Sequence, residues 1–96
     1  MDTREQYIEK LKTQLDQWNA EVKKWEAKAH DAQADMRGEY EKQLEEFRRQ
    51  RDKAVEEMRH VQSAAGNAWL ELMRSADDAW AKTREAFEKA QSHFHK

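Results

Sequence analysis

Four histidines and twenty carboxylates are the side chains of this chain with the widest chemical scope. His93 and His95 flank Phe94 near the C-terminus. Imidazole suits zinc, copper and nickel, so the pair is a candidate chelate on a frayed helix end. On a regular helix, however, residues two apart point about 200° away from each other. Glu57-Met58-Arg59-His60 has the glutamate–histidine spacing of carboxylate-bundle metal sites, which must face a core. Met58 and Val61 define the apolar stripe there, so Glu57 and His60 fall beside the core and read as solvated. His30 with Asp31, and His60 with Glu56 and Glu57, complete a ligand set only across a second chain. The acidic pairs Glu45-Glu46 and Asp77-Asp78 act as acid and base only in a pocket that moves their pKa values. There is no cysteine, and the two glycines are isolated. Thiolate metal sites, cysteine nucleophiles and glycine-rich phosphate loops are therefore missing. The expectation is a protein that is not an enzyme and has neither cofactor nor metal centre, with His93 and His95 the remaining metal candidates.

Charge excludes further classes. Twenty acidic and 18 basic side chains nearly cancel and interleave along the whole chain. No segment offers the basic stripe that nucleic-acid binding requires. The one cluster, Arg48, Arg49, Arg51 and Lys53, is hemmed in by Glu45, Glu46, Asp52, Glu56 and Glu57, and reads as a salt-bridged helix face. Uninterrupted apolar runs reach only three residues, as in Ala68-Trp69-Leu70, too short for stable membrane insertion. No signal peptide is legible behind Met1-Asp2-Thr3-Arg4-Glu5, so a cytoplasmic location is the expectation.

The elements that must position these residues are helices. Proline is absent, and Ile8, Leu11, Leu15, Trp18, Val22, Trp25, Ala29, Ala32 and Met36 alternate at spacings of three and four. That is one narrow apolar stripe on a helix with charged outer faces, which another helix must cover. Asp2 or Thr3, with Glu5 or Gln6 three residues on, forms a capping box at its start. Met36, Tyr40 and Leu44 then follow at four and four, a stutter near 36–44. The stripe resumes through Leu44, Phe47, Arg51, Ala54, Met58 and Val61, with the Arg51 stem lying across the seam and its head in water. Ser63-Ala64-Ala65-Gly66-Asn67 is a turn, because glycine ends helices and asparagine caps them. Trp69, Leu72, Ala76, Trp80, Thr83, Phe87 and Phe94 form the stripe of a second helix, repeating at eleven residues.

The spacing predicts one all-α coiled-coil domain over 1–96: a long helix over 3–62, a turn at 63–67 and a shorter helix over 68–94, forming an antiparallel hairpin. A straight helix over 3–62 is about 90 Å long, and its partner only about 40 Å. The hairpin therefore leaves the Ile8–Met36 stripe, with Trp18 and Trp25, uncovered. Two arrangements cover it. Either Gly38 bends and one chain forms a three-helix bundle like a spectrin repeat, or the helix stays straight and two chains exchange halves as an antiparallel dimer hinged at Gly38. Gly38 has no turn residues beside it, so the straight helix and a homodimer are expected. The oligomer interface is then Ile8, Leu11, Leu15, Trp18, Val22, Trp25, Met36, Leu44, Phe47, Met58, Val61, Trp69, Leu72, Trp80 and Phe87, with Gly38, Gly66 and Asn67 as hinge and turn positions.

Three stretches carry a resemblance: residues 7–21 (Tyr7-Ile8-Glu9-Lys10-Leu11 through Asp16-Gln17-Trp18-Asn19-Ala20-Glu21), Glu39-Tyr40-Glu41-Lys42-Gln43-Leu44-Glu45-Glu46, and Ala79-Trp80 followed by Ala86-Phe87-Glu88-Lys89-Ala90. Together they resemble the small bacterial coiled-coil proteins of a stress-response family first noted in cyanobacteria. Trp25 and the histidine-rich end depart from that pattern. The resemblance implies a non-enzymatic helical protein in a stress setting and supplies no site residue. The functional expectation is a homo-oligomerising coiled coil acting by protein–protein interaction. A second reading is reversible binding of membranes or other apolar surfaces, such as a protein client, through the Trp-bearing amphipathic helices. A third is metal binding by the C-terminal histidines.

Overall fold

A computed structural model describes residues 3–94. Three helices follow one another: α1 (Thr3–Asp31), α2 (Ala34–Ser63) and α3 (Ala68–Phe94). They run up, down and up in a bundle measuring 52 × 20 × 17 Å. Asp2 and its share of the capping box lie outside the described residues, as does His95.

The long helix expected over 3–62 is in fact two helices. The break falls at Ala32-Gln33, and Gly38 lies inside α2. Gly38 is exposed, and a Cβ built on it meets nothing within 4 Å. Its backbone is neither a hinge nor a close approach. At the real corner Gln33 is extended, with φ −64° and ψ 155°, and its side chain caps nothing. The end of α1 is instead closed by Arg37, whose Nη2 donates to the carbonyls of His30 at 3.3 Å and Ala32 at 3.2 Å, and the start of α2 by Asp35 Oδ1, which accepts from the Met36 N–H at 3.1 Å. Lys28 and His30 lie in the last turn of α1 and Asp35 in the first turn of α2, each suited to the dipole end it occupies.

Burial explains why the chain turns without turn residues. Folding α1 back removes Trp18, Trp25, Val22 and Leu11 from water against the same chain's own stripe. Apolar burial stabilises by about 25 cal/mol per Å², which outweighs the few local bonds lost in interrupting a helix for two residues. By contrast the second corner is built on local chemistry. Gly66 takes φ +55°, a conformation an L side chain resists. Ala68 N–H donates to Ala65 O, and Leu70 N–H to Asn67 O.

Side-chain size sets the helix spacing. The buried small residues Ala54 on α2 and Ala76, Thr83, Ala86 and Ala90 on α3 let those two backbones lie close along their length. Bulky rings hold α1 away from α3. Those rings form one aromatic column. Trp18 touches Trp80 at 5.7 Å, Phe87 at 5.8 Å and the edge of Phe47 at 6.2 Å between centroids. Trp25 bridges Phe87 at 4.9 Å and Phe94 at 5.2 Å, and Phe94 stacks on Tyr40 at 4.5 Å. Such pairs contribute about 0.5–1.5 kcal/mol each beyond their area.

Candidate interaction surfaces

The residues expected at an oligomer interface lie in the core of a single chain. Ile8, Leu11, Trp18, Val22, Trp25, Leu44, Phe47, Met58, Val61 and Trp80 are buried there, and Leu15, Trp69, Leu72 and Phe87 pack half-buried against them. Met36 is different. The bend leaves it 48% exposed, and Leu70, at the opposite end of the bundle, is 54% exposed.

Leu70 closes an uncharged run of sequence, with Glu71 and Arg74 lining the surface beside it. From Val61 to Leu70 no residue carries a charge, in a chain that is 40% charged. Ala65, Gly66, Asn67 and Ala68 are exposed there, and the half-buried Trp69 ring carries the Arg4 guanidinium 5.8 Å from its centroid. Arg4 Nη1 also donates to Ala64 O at 2.7 Å, which fixes the turn to the start of α1.

Three polar residues of α1, Tyr7, Gln14 and Lys28, register it against α3, while Glu21 of the same row pairs with Lys24 on α1. Tyr7, Gln14, Glu21 and Lys28 recur every seven residues, each one place before a buried or half-buried stripe residue. Tyr7 donates through its hydroxyl to Asp77 Oδ1 at 2.5 Å. Gln14 Oε1 accepts from Trp80 Nε1 at 2.7 Å, and Lys28 Nζ donates to Phe94 O. Partial burial, then the Asp77 carboxylate, push the Tyr7 phenol well above its ordinary range. Reading the sequence for apolar stripes alone missed this row. Its seven-residue spacing beside the seam was the available signal.

The remaining candidates stand apart from one another. Glu57, half-buried at the groove between α2 and α3, and the exposed His60 approach to 3.7 Å, and His93 Nδ1 lies 3.8 Å from Glu39. Among the described residues no three histidine or carboxylate side chains gather as a metal site. Arg48 pairs with Glu26, Arg49 with Glu46 and Arg51 with Asp52. Arg51 is half-buried, with its guanidinium 5.9 Å from the Phe47 centroid and Nη1 bonded to Asn19 at 3.2 Å. The grooves between helices carry both signs of charge, such as Glu26, Arg37, Glu41 and Arg48 between α1 and α2. Among the described residues no helix is long and apolar enough to cross a membrane. No protein-family model, no curated protein and no solved structure matches this chain.

Proposed function

We propose that this chain is a non-enzymatic helical interaction protein that works by contact with other proteins, its own copies included. The observation that carries the reading is the placing of Met36 and Leu70. The fold gathers its aromatic side chains inward, yet leaves these two large apolar side chains outside, one at each end. Isolated exposed apolar residues are ordinary. Leu70 is distinguished by standing beside the half-buried Trp69 at the close of the uncharged run 61–70, with Arg4, Glu71 and Arg74 at its margin, an apolar patch with a charged rim. The resemblance to bacterial stress-response coiled coils supplies the setting in which we place it. The test is suppression of aggregation of a heat-unfolding reporter protein, read by light scattering. Leu70→Glu should lower the suppression several-fold with melting unchanged. Equal activity of the two proteins would remove this end from the proposal.

The same exposed Leu70 beside Trp69 favours a second reading, reversible attachment to apolar or lipid surfaces. Trp18, Trp25 and Trp80 are buried and Trp69 is half-buried. A blue shift of emission on adding liposomes that vanishes in Trp69→Phe would support it. Unchanged emission across neutral and anionic vesicles would sink it.

A further inference from the structure

We infer that α1 exchanges between two copies of this chain, hinged at Ala32-Gln33, with the straightened helix returning Met36 to an apolar seam. This deepens the proposed interaction function by naming a second copy as a partner, and it rests on that reading. Ala29, Ala32, Met36 and Tyr40 continue one stripe across the corner at spacings of three and four. The bend buries Ala29 and Tyr40, half-buries Ala32 and ejects Met36. In a continuous helix over residues 3–63 that stripe is unbroken. Two such helices, antiparallel about a two-fold axis, cross at this segment, and each Met36 is covered by the partner's stripe.

The two corners differ in what holds them. The corner at 64–67 has Gly66 at φ +55° and keeps its shape in either state. The corner at 32–33 has no glycine, no proline, no positive φ and no side-chain cap on Gln33. The Arg37 guanidinium holds the carbonyls of His30 and Ala32, while the Gln33 carbonyl already accepts from the Arg37 backbone N–H at 2.8 Å, a helical bond that straightening keeps. Rotating Gln33 from extended to helical backbone joins α1 to α2 and restores helical hydrogen bonds in place of the two guanidinium bonds. The contacts fixing α1 reappear unchanged between chains: Tyr7 on Asp77, Gln14 on Trp80, Lys28 on Phe94. The balance therefore rests on the corner, the Met36 surface and concentration.

Ala34→Pro separates the two states. Ala34 opens α2, where proline is favoured and no intrahelical N–H bond is lost. Its neighbour Gln33 already has the extended backbone that a following proline demands. In the straight helix the same proline removes a bond and clashes with the carbonyl four residues back. The experiment is light scattering on a sizing column with small-angle scattering, after refolding at low and high concentration. Wild type should yield, increasingly with concentration, a species of twice the 11.5 kDa chain mass. That species should contain a helix of about 90 Å, against a 52 Å monomer. Ala34→Pro should stay at one chain mass with helicity kept, and Arg37→Ala should raise the dimer fraction several-fold. A wild type monomeric throughout, a dimer no longer than the monomer, or equal dimerisation of Ala34→Pro would each overturn the exchange. The locked Ala34→Pro monomer is then put through the reporter assay: activity retained there leaves the interaction reading standing when exchange fails, and activity lost in a folded monomer ties the two together.

Discussion

Single side chains in this protein divide into rings that fill space and polar groups that set register. Trp18 and Trp25 each touch two or more further rings and are almost fully buried. Truncating either to alanine should cost about 3–5 kcal/mol, since the void cannot collapse around a bundle of rigid rings. Urea titration measures this, and a loss under about 1 kcal/mol would mean that the column is looser than its stacking geometry. Tyr7 sets register and adds a pH dependence. Its phenol holds its proton more tightly in the folded chain than in the unfolded one, because burial and Asp77 oppose the phenolate. The bond to Asp77 is therefore fully present below the ordinary tyrosine range near pH 10, and its contribution fades as pH rises from there. Melting temperatures of wild type and Tyr7→Phe should differ by a constant amount up to about pH 9 and converge in more alkaline buffer.

At the scale of elements, the two glycines make opposite predictions. Gly38 sits on an exposed stretch of α2 with open space around a Cβ. Gly38→Ala should raise stability by about 0.5–1 kcal/mol, through helix propensity alone. Gly66 has φ +55° with equal space around it, so Gly66→Ala should lower stability by about 1–2 kcal/mol, through backbone strain. Thermal melts of the pair decide the point, and a destabilising Gly38→Ala would reopen the glycine as a joint. The helical class was legible from the stripes, because three-and-four spacing admits no other regular structure. The corner after α1 was not. Asp31, Ala32, Gln33 and Ala34 carry no breaker, and the arginine that closes the corner lies four residues beyond Gln33 on the next helix.

The whole molecule is held at its upper end by the last described residue. Phe94 stacks on Trp25 and Tyr40, and its carbonyl accepts from Lys28. Deleting residues 93–96 therefore removes core as well as histidines. Phe94→Ala should cost about 3–5 kcal/mol and loosen the upper ends of all three helices together. Amide exchange in the last turn of α1 and the first turns of α2 should accelerate in that variant. Unaltered exchange there would mean that the column does not couple the helices. Metal affinity of the C-terminal histidines is correspondingly tested with His93→Ala and His95→Ala in the full chain.

Periodicity by itself determined that this chain is helical and which side chains of each helix form the apolar stripe, and the sequence shows acidic and basic groups interleaved along it. These follow from local rules: a side chain's place on a helix depends only on its number. The tertiary structure decided which stripe covers which, where the first corner falls, and that Met36 and Leu70 are the large apolar side chains left exposed among the described residues. Those outcomes depend on burial summed over residues far apart in sequence. The stripe from Ile8 to Met36 fits equally well against its own chain or a second one, so its pattern is silent between them. The fold back at Ala32-Gln33 is the choice that buries the tryptophans within one chain, and Met36 is the stripe residue that this choice leaves in water.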